Sequence, residues 1–104
     1  MEGGRIEALK GMLEKDPNDP MLYYLLGNEY FKEGRYEETI EVIRVYLSLA
    51  KDEGAAYRTL AQSLERTGKV SEARLAYQQG IEAANQHGHP GMAAEFEDAL
   101  KELS

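Results

Sequence analysis

Slid along itself by thirty-four residues, the sequence matches itself without a gap. The shift pairs Tyr23 with Tyr57, Leu26 with Leu60, Gly27 with Ala61, Gly34 with Gly68, Tyr36 with Val70, Ile43 with Tyr77 and Tyr46 with Gly80. A fixed period of this length marks a chain built from stacked supersecondary units, none of which can bury its apolar face alone. It argues against a single closed core with an irregular order of elements.

Each unit reads as two short helices broken by glycine. Asp19 offers its carboxylate to the orphan amides of an opening turn, and Pro20 fits the first helical position, where no amide hydrogen is needed. Tyr23, Leu26, Gly27 and Tyr30 then recur at spacings of three and four, and Gly34 supplies a left-handed stop. A second helix follows from about Tyr36, with Ile40, Ile43, Leu47 and Ala50 turned inward. The next copy repeats the pattern with Tyr57, Leu60, Ala61 and Leu64, then Gly68, then Ala73, Tyr77, Gly80 and Ile81.

Those residues resemble the tetratricopeptide repeat, whose pattern W-x2-L-G-x2-Y, A-x3-F, P reads here as Tyr23-x2-Leu26-Gly27-x2-Tyr30, Thr39-x3-Ile43 and Lys51. The second copy reads Tyr57-x2-Leu60-Ala61-x2-Leu64, Ala73-x3-Tyr77 and Asn85. Three departures stand out: Thr39 replaces a small alanine, Tyr46 sits where a small residue usually lets helices approach, and neither copy ends in proline. The resemblance implies an all-α, right-handed α-solenoid forming one domain over residues 1–104. Within it, residues 5–17 make a half-repeat helix, 20–53 and 54–87 two full repeats, and 90–103 a capping helix. The cap carries an apolar stripe of Met92, Phe96, Ala99, Leu100 and Leu103, with Glu95, Glu97, Asp98, Lys101 and Glu102 expected to face away.

The chain offers little for catalysis. It has no cysteine, no G-x-x-x-x-G-K-[ST] phosphate loop, no G-x-S-x-G elbow and no H-E-x-x-H pair. His87 and His89 are its only imidazoles and would need a further ligand such as Glu95 to share a metal, so they read as loop residues. We therefore expect no enzyme, no metal and no cofactor. A net charge of −7 opposes phosphate backbones, which excludes nucleic acid as the natural partner. The longest apolar run, residues 21–26, is far shorter than the roughly twenty residues a membrane span needs. Glu2 stands where a secretion signal needs positive charge, so a cytoplasmic location is expected.

Binding of another protein is the function that the resemblance implies. In this family the first helix of each pair lines a concave groove, and the corresponding positions here include Tyr24, Asn28, Phe31, Lys32, Arg58, Gln62, Glu65 and Arg66. Helical spacing agrees: Arg58, Gln62 and Arg66 at i, i+4 and i+8 form a polar ridge beside the apolar stripe. Cations outnumber acids in this set, which predicts an acidic or apolar-acidic segment as the occupant. The family's carboxylate clamp is matched only at Asn28, since Tyr24 stands in place of its lysine and Thr59 in place of a second asparagine. The alternative is a self-assembling, homodimeric unit that pairs through the capping helix or through Val42 and Val45. These two valines extend an apolar strip onto the outer side of their helix.

Overall fold

The computed structural model describes residues 4–103. Residues 1–3, on which the reading of the leader rests, lie outside that range. The described residues form six helices and no strand. They are α1 (Gly4–Lys15), α2 (Pro20–Lys32), α3 (Tyr36–Leu49), α4 (Ala55–Arg66), α5 (Val70–Gln86) and α6 (Pro90–Glu102). Each helix packs on the next, and α2 also reaches α4. The result is an elongated stack of 39 × 27 × 20 Å, as expected of an α-solenoid of repeated helix pairs.

The helix ends follow from local chemistry. The Asp19 carboxylate accepts the Met21 amide at 3.0 Å, and Pro20 opens α2. At Gly34 and Gly68 the backbone turns left-handed (φ 73° and 76°), and the chain closes each helix the same way. Arg35 N–H donates to the Tyr30 carbonyl at 2.9 Å, and Lys69 N–H donates to the Leu64 carbonyl at 2.8 Å. This six-to-one bond satisfies carbonyls that the helix itself leaves unpaired. A third copy, His89 N–H to the Ala84 carbonyl at 2.8 Å, separates α5 from α6.

The start of α4 is capped from a distance. No side chain of its N-cap residue, Gly54, can help, and Asp52 acts instead. Its carboxylate accepts the amides of Gly54 and Ala56, both at 2.8 Å, and the Tyr46 hydroxyl at 3.0 Å. Gly54 itself is buried at φ 138°, where a Cβ would sit 2.4 Å from Met92 Sδ.

Two apolar clusters run through the stack. The smaller joins Ile6 and Leu9 of α1 to Leu26 and Tyr30 of α2, with Val42 packed against it. The larger runs from Ile40, Ile43 and Tyr46 through Leu60 and Leu64 to Tyr77 and Phe96. The departures from the repeat pattern are accommodated within these clusters. Thr39 is fully buried, but its hydroxyl donates to the Arg35 carbonyl at 2.9 Å, so the extra polar atom is satisfied. Tyr46 packs its ring 5.0 Å from that of Tyr24. At its counterpart one period later, Gly80, the space is filled from the opposite direction by Phe96 of α6. Of the six tyrosines at pattern positions, Tyr30, Tyr46 and Tyr77 are buried, while Tyr23, Tyr36 and Tyr57 are half-buried at the edges.

Candidate functional site

Helices α2, α4 and α6 line one face of the stack, and two hollows open between them, one at each end. The first, about 360 Å³, is bounded by Met21 and Tyr24 of α2, Ala55 of α4, Met92 of α6 and the loop from Lys51 to Glu53. The second, about 400 Å³, is bounded by Phe31 of α2, Gln62, Glu65 and Arg66 of α4, and Ala99 and Glu102 of α6, with Tyr77 at its floor.

Between the hollows, Arg58 of α4 makes a two-pronged bridge to Glu95 of α6, Nε to Oε2 at 2.6 Å and Nη2 to Oε1 at 2.7 Å. Its guanidinium also lies 5.6 Å from the centre of the Phe96 ring. This pairing raises the Arg58 pKa and lowers that of Glu95, the direct hydrogen bond outweighing the opposing cost of partial burial in both. Tyr77 donates its hydroxyl to Glu65, and burial first, then that carboxylate, pushes its pKa up. The Tyr46 hydroxyl is pushed up to about 12, by burial first and by Asp52 second.

All eight residues expected in the groove lie on α2 and α4, and six of them, from Tyr24 to Arg66, can be placed by their contacts. Tyr24 and Phe31 are half-buried, one against Tyr46, the other edge-on to Tyr36 at 5.7 Å. Lys32 bonds to Glu29 at 3.2 Å. Arg66 bonds to the Tyr36 hydroxyl at 3.3 Å and lies 5.5 Å from the centre of its ring. Arg58 is held by Glu95 and Glu65 by Tyr77, as described. Asn28 and Gln62 are half-buried between them. The three cations expected to receive an acidic segment thus already have internal partners.

Glu95 and Glu102, expected to face away on the capping helix, instead reach the groove. The two hollows and their bridge hold three cations, Lys51, Arg58 and Arg66, against five carboxylates, Asp52, Glu53, Glu65, Glu95 and Glu102. The local balance is −2, which reverses the sign expected from α2 and α4 alone. A signal for this was present in the sequence: Glu95, Ala99 and Glu102 share one helical face at i, i+4 and i+7.

The outer valines do not form an open strip. Val42 is half-buried against the cluster of α1 and α2, and Val45 is also half-buried. The exposed apolar side chains lie elsewhere, at Met12, Met21, Leu49, Val70 and Leu75. The two imidazoles go separate ways from Glu95: His87 Nδ1 lies 2.9 Å from the Ala83 carbonyl, and His89 Nε2 lies 2.6 Å from Glu53 Oε1. Among the described residues no helix is long and apolar enough to cross a membrane.

Comparison with known proteins agrees with this fold. The family model described as tetratricopeptide repeat matches residues 8–41, which take in the latter part of α1, all of α2 and the start of α3. TPR repeat-containing protein PA0015 of Pseudomonas aeruginosa is 28% identical over 98 residues, covering 94% of this chain and 93% of its own length. Small glutamine-rich tetratricopeptide repeat-containing protein 2 of Mycosarcoma maydis is 29% identical over 97 residues, and the match spans 28% of that longer protein. The solution structure of protein BPP2914 from Bordetella parapertussis superposes with a TM-score of 0.78 at 24% identity, covering 94% of this chain and 85% of that one. That likeness is one of fold.

Proposed function

Because the chain belongs to the tetratricopeptide-repeat family, we propose that it is a non-catalytic interaction module that holds a peptide or helix of another protein in the face lined by α2, α4 and α6. Repeats of this family generally mediate protein–protein interaction. The observation that carries the reading is the pair of open hollows on that one face, each edged by apolar or aromatic side chains beside a few polar groups. Residues 5–17, 20–53, 54–87 and 90–103 then act as half repeat, two repeats and cap of one binding unit. The acidic occupant expected from Lys32, Arg58 and Arg66 would have to displace Glu29, Glu95 and Tyr36 from those cations. The homodimeric alternative has two routes, the capping helix and the strip at Val42 and Val45, and the half-burial of both valines disfavours the second.

Affinity capture with the intact chain, followed by titration of the captured partner, tests the groove. Phe31→Ala should weaken binding roughly thirtyfold, since aromatic anchors at an interface centre commonly carry about 2 kcal/mol. Light scattering should give the 11.7 kDa single chain. A partner that binds Phe31→Ala as tightly as the parent, with the fold intact in both, uses another surface.

A further inference from the structure

The groove reading leaves the nature of the occupant open, and two features of the face define it. The first is spacing. Tyr24 and Phe31 on α2, Ala55 and Gln62 on α4, and Met92 and Ala99 on α6 each pair one hollow with the other, and each pair is seven residues apart. Seven residues of helix advance about 10.5 Å. The three lining helices therefore present both hollows at one common separation, which equals the distance between side chains at i and i+7 on a single helix. Residues seven apart lie on the same helical face, so one partner helix lying along the groove can fill both hollows.

The second feature is charge. The surface between and around the hollows is negative, and its acids are unevenly committed. Asp52 is tied into the cap of α4, Glu95 into Arg58, Glu53 to His89 and Glu65 to Tyr77. Glu102, at the rim of the second hollow, lies in the last turn of α6 and has no ion pair among the described residues. The cations are fewer: Arg58 is neutralised in place, which leaves Lys51 and Arg66, the latter over Tyr36, against the four carboxylates Asp52, Glu53, Glu65 and Glu102 outside the bridge. A segment carrying acids would meet this excess of carboxylates, whereas lysine or arginine flanking the apolar anchors would meet Glu102, and also Glu53, whose one partner is the imidazole of His89.

We propose that the natural occupant of the groove is a basic amphipathic helix of another protein, with apolar side chains seven residues apart seated in the two hollows and lysine or arginine beside them facing Glu102 and Glu53. This rests on the groove reading above and reverses the charge that α2 and α4 alone suggest. The Arg58–Glu95 bridge then acts as a neutral saddle between the anchors, over which the partner passes without stranding a charge.

The test pans random sixteen-residue peptides displayed on phage against the intact chain and, in parallel, against Gln62→Trp, which fills the second hollow. Circular dichroism confirms that both are folded. The recovered peptides, synthesised and titrated by fluorescence anisotropy, should carry net positive charge and an apolar pair seven apart. They should bind Gln62→Trp about tenfold or more weakly. Glu102→Lys should weaken them about three- to tenfold and flatten the dependence of affinity on salt. Recovery of net-acidic peptides that lose affinity for Gln62→Trp overturns the basic-helix proposal and leaves the groove standing. Recovery indifferent to Gln62→Trp, or no enrichment at all, overturns the groove reading itself.

Discussion

Replacing Gly80 with alanine is expected to destabilise the protein in one background and stabilise it in another. Gly80 lies inside α5, where α6 crosses it, and an added Cβ would fall 2.7 and 2.9 Å from two ring carbons of Phe96 and 3.0 Å from Tyr57 Cβ. Carbon atoms rest at about 3.5–4.0 Å. The Phe96 ring is 0% exposed and is flanked by Tyr77 at 5.8 Å between ring centres, so it cannot swing aside without moving α6. Overpacking of this kind costs about 1–3 kcal/mol, and the alanine returns about 1 kcal/mol because glycine is a poor helix former. The net loss expected in the parent is up to about 2 kcal/mol. In a Phe96→Leu background the clashing ring is gone, and the same substitution should gain about 0.5 kcal/mol, the residual contact with Tyr57 taking the rest. Urea denaturation of the four proteins in this cycle, followed by far-ultraviolet circular dichroism, measures a coupling of about 0.5–2.5 kcal/mol. If Gly80→Ala has the same sign and size in both backgrounds, Phe96 is not what reserves that position for glycine.

Two further outcomes follow from α6. Glu95 has its pKa lowered by Arg58, so the stability it contributes is fully present above the ordinary carboxylate value of 4.5 and is lost as pH falls through the lower folded value. Glu95→Gln should therefore cost at most about 1 kcal/mol at neutral pH, the pair being partly exposed, and the difference in melting temperature from the parent should shrink steadily as pH falls below 4.5. A difference that does not change with pH assigns the effect to packing instead. Ending the chain at His87 should uncover the seat of Phe96 on Tyr77 and Gly80, costing at least the roughly 1.5–3 kcal/mol of that one buried ring or driving association. An unchanged urea midpoint and a monomer by light scattering would show that the helix is idle.

What the sequence made legible was what depends on neighbours along the chain. Asp19, Pro20, Gly34 and Gly68 announce helix ends because the groups they satisfy lie within a few residues, and the tyrosine and leucine stripes announce faces because helical spacing is local. The thirty-four-residue period then converts those faces into an order of stacking. What escaped depends on which helix comes to lie against which. Val42 looks uncovered until α1 is seen to share its cluster, and Glu95 looks solvated until Arg58, thirty-seven residues earlier, is seen to face it. The charge of the groove failed for the same reason, since two of its five carboxylates arrive on the last helix. The Asp52 cap was hidden differently: a carboxylate that bonds forward across a non-helical glycine has no simple periodic signature.

That aspartate also bears on how the groove meets a ligand. By accepting three hydrogen bonds at the elbow between α3 and α4, Asp52 ties the end of one repeat to the start of the next. The joint gives up its conformational freedom at the moment of folding, long before any encounter. On the proposed reading that joint is already ordered when a partner arrives, so the entropy lost on association falls mainly on the segment that comes to it.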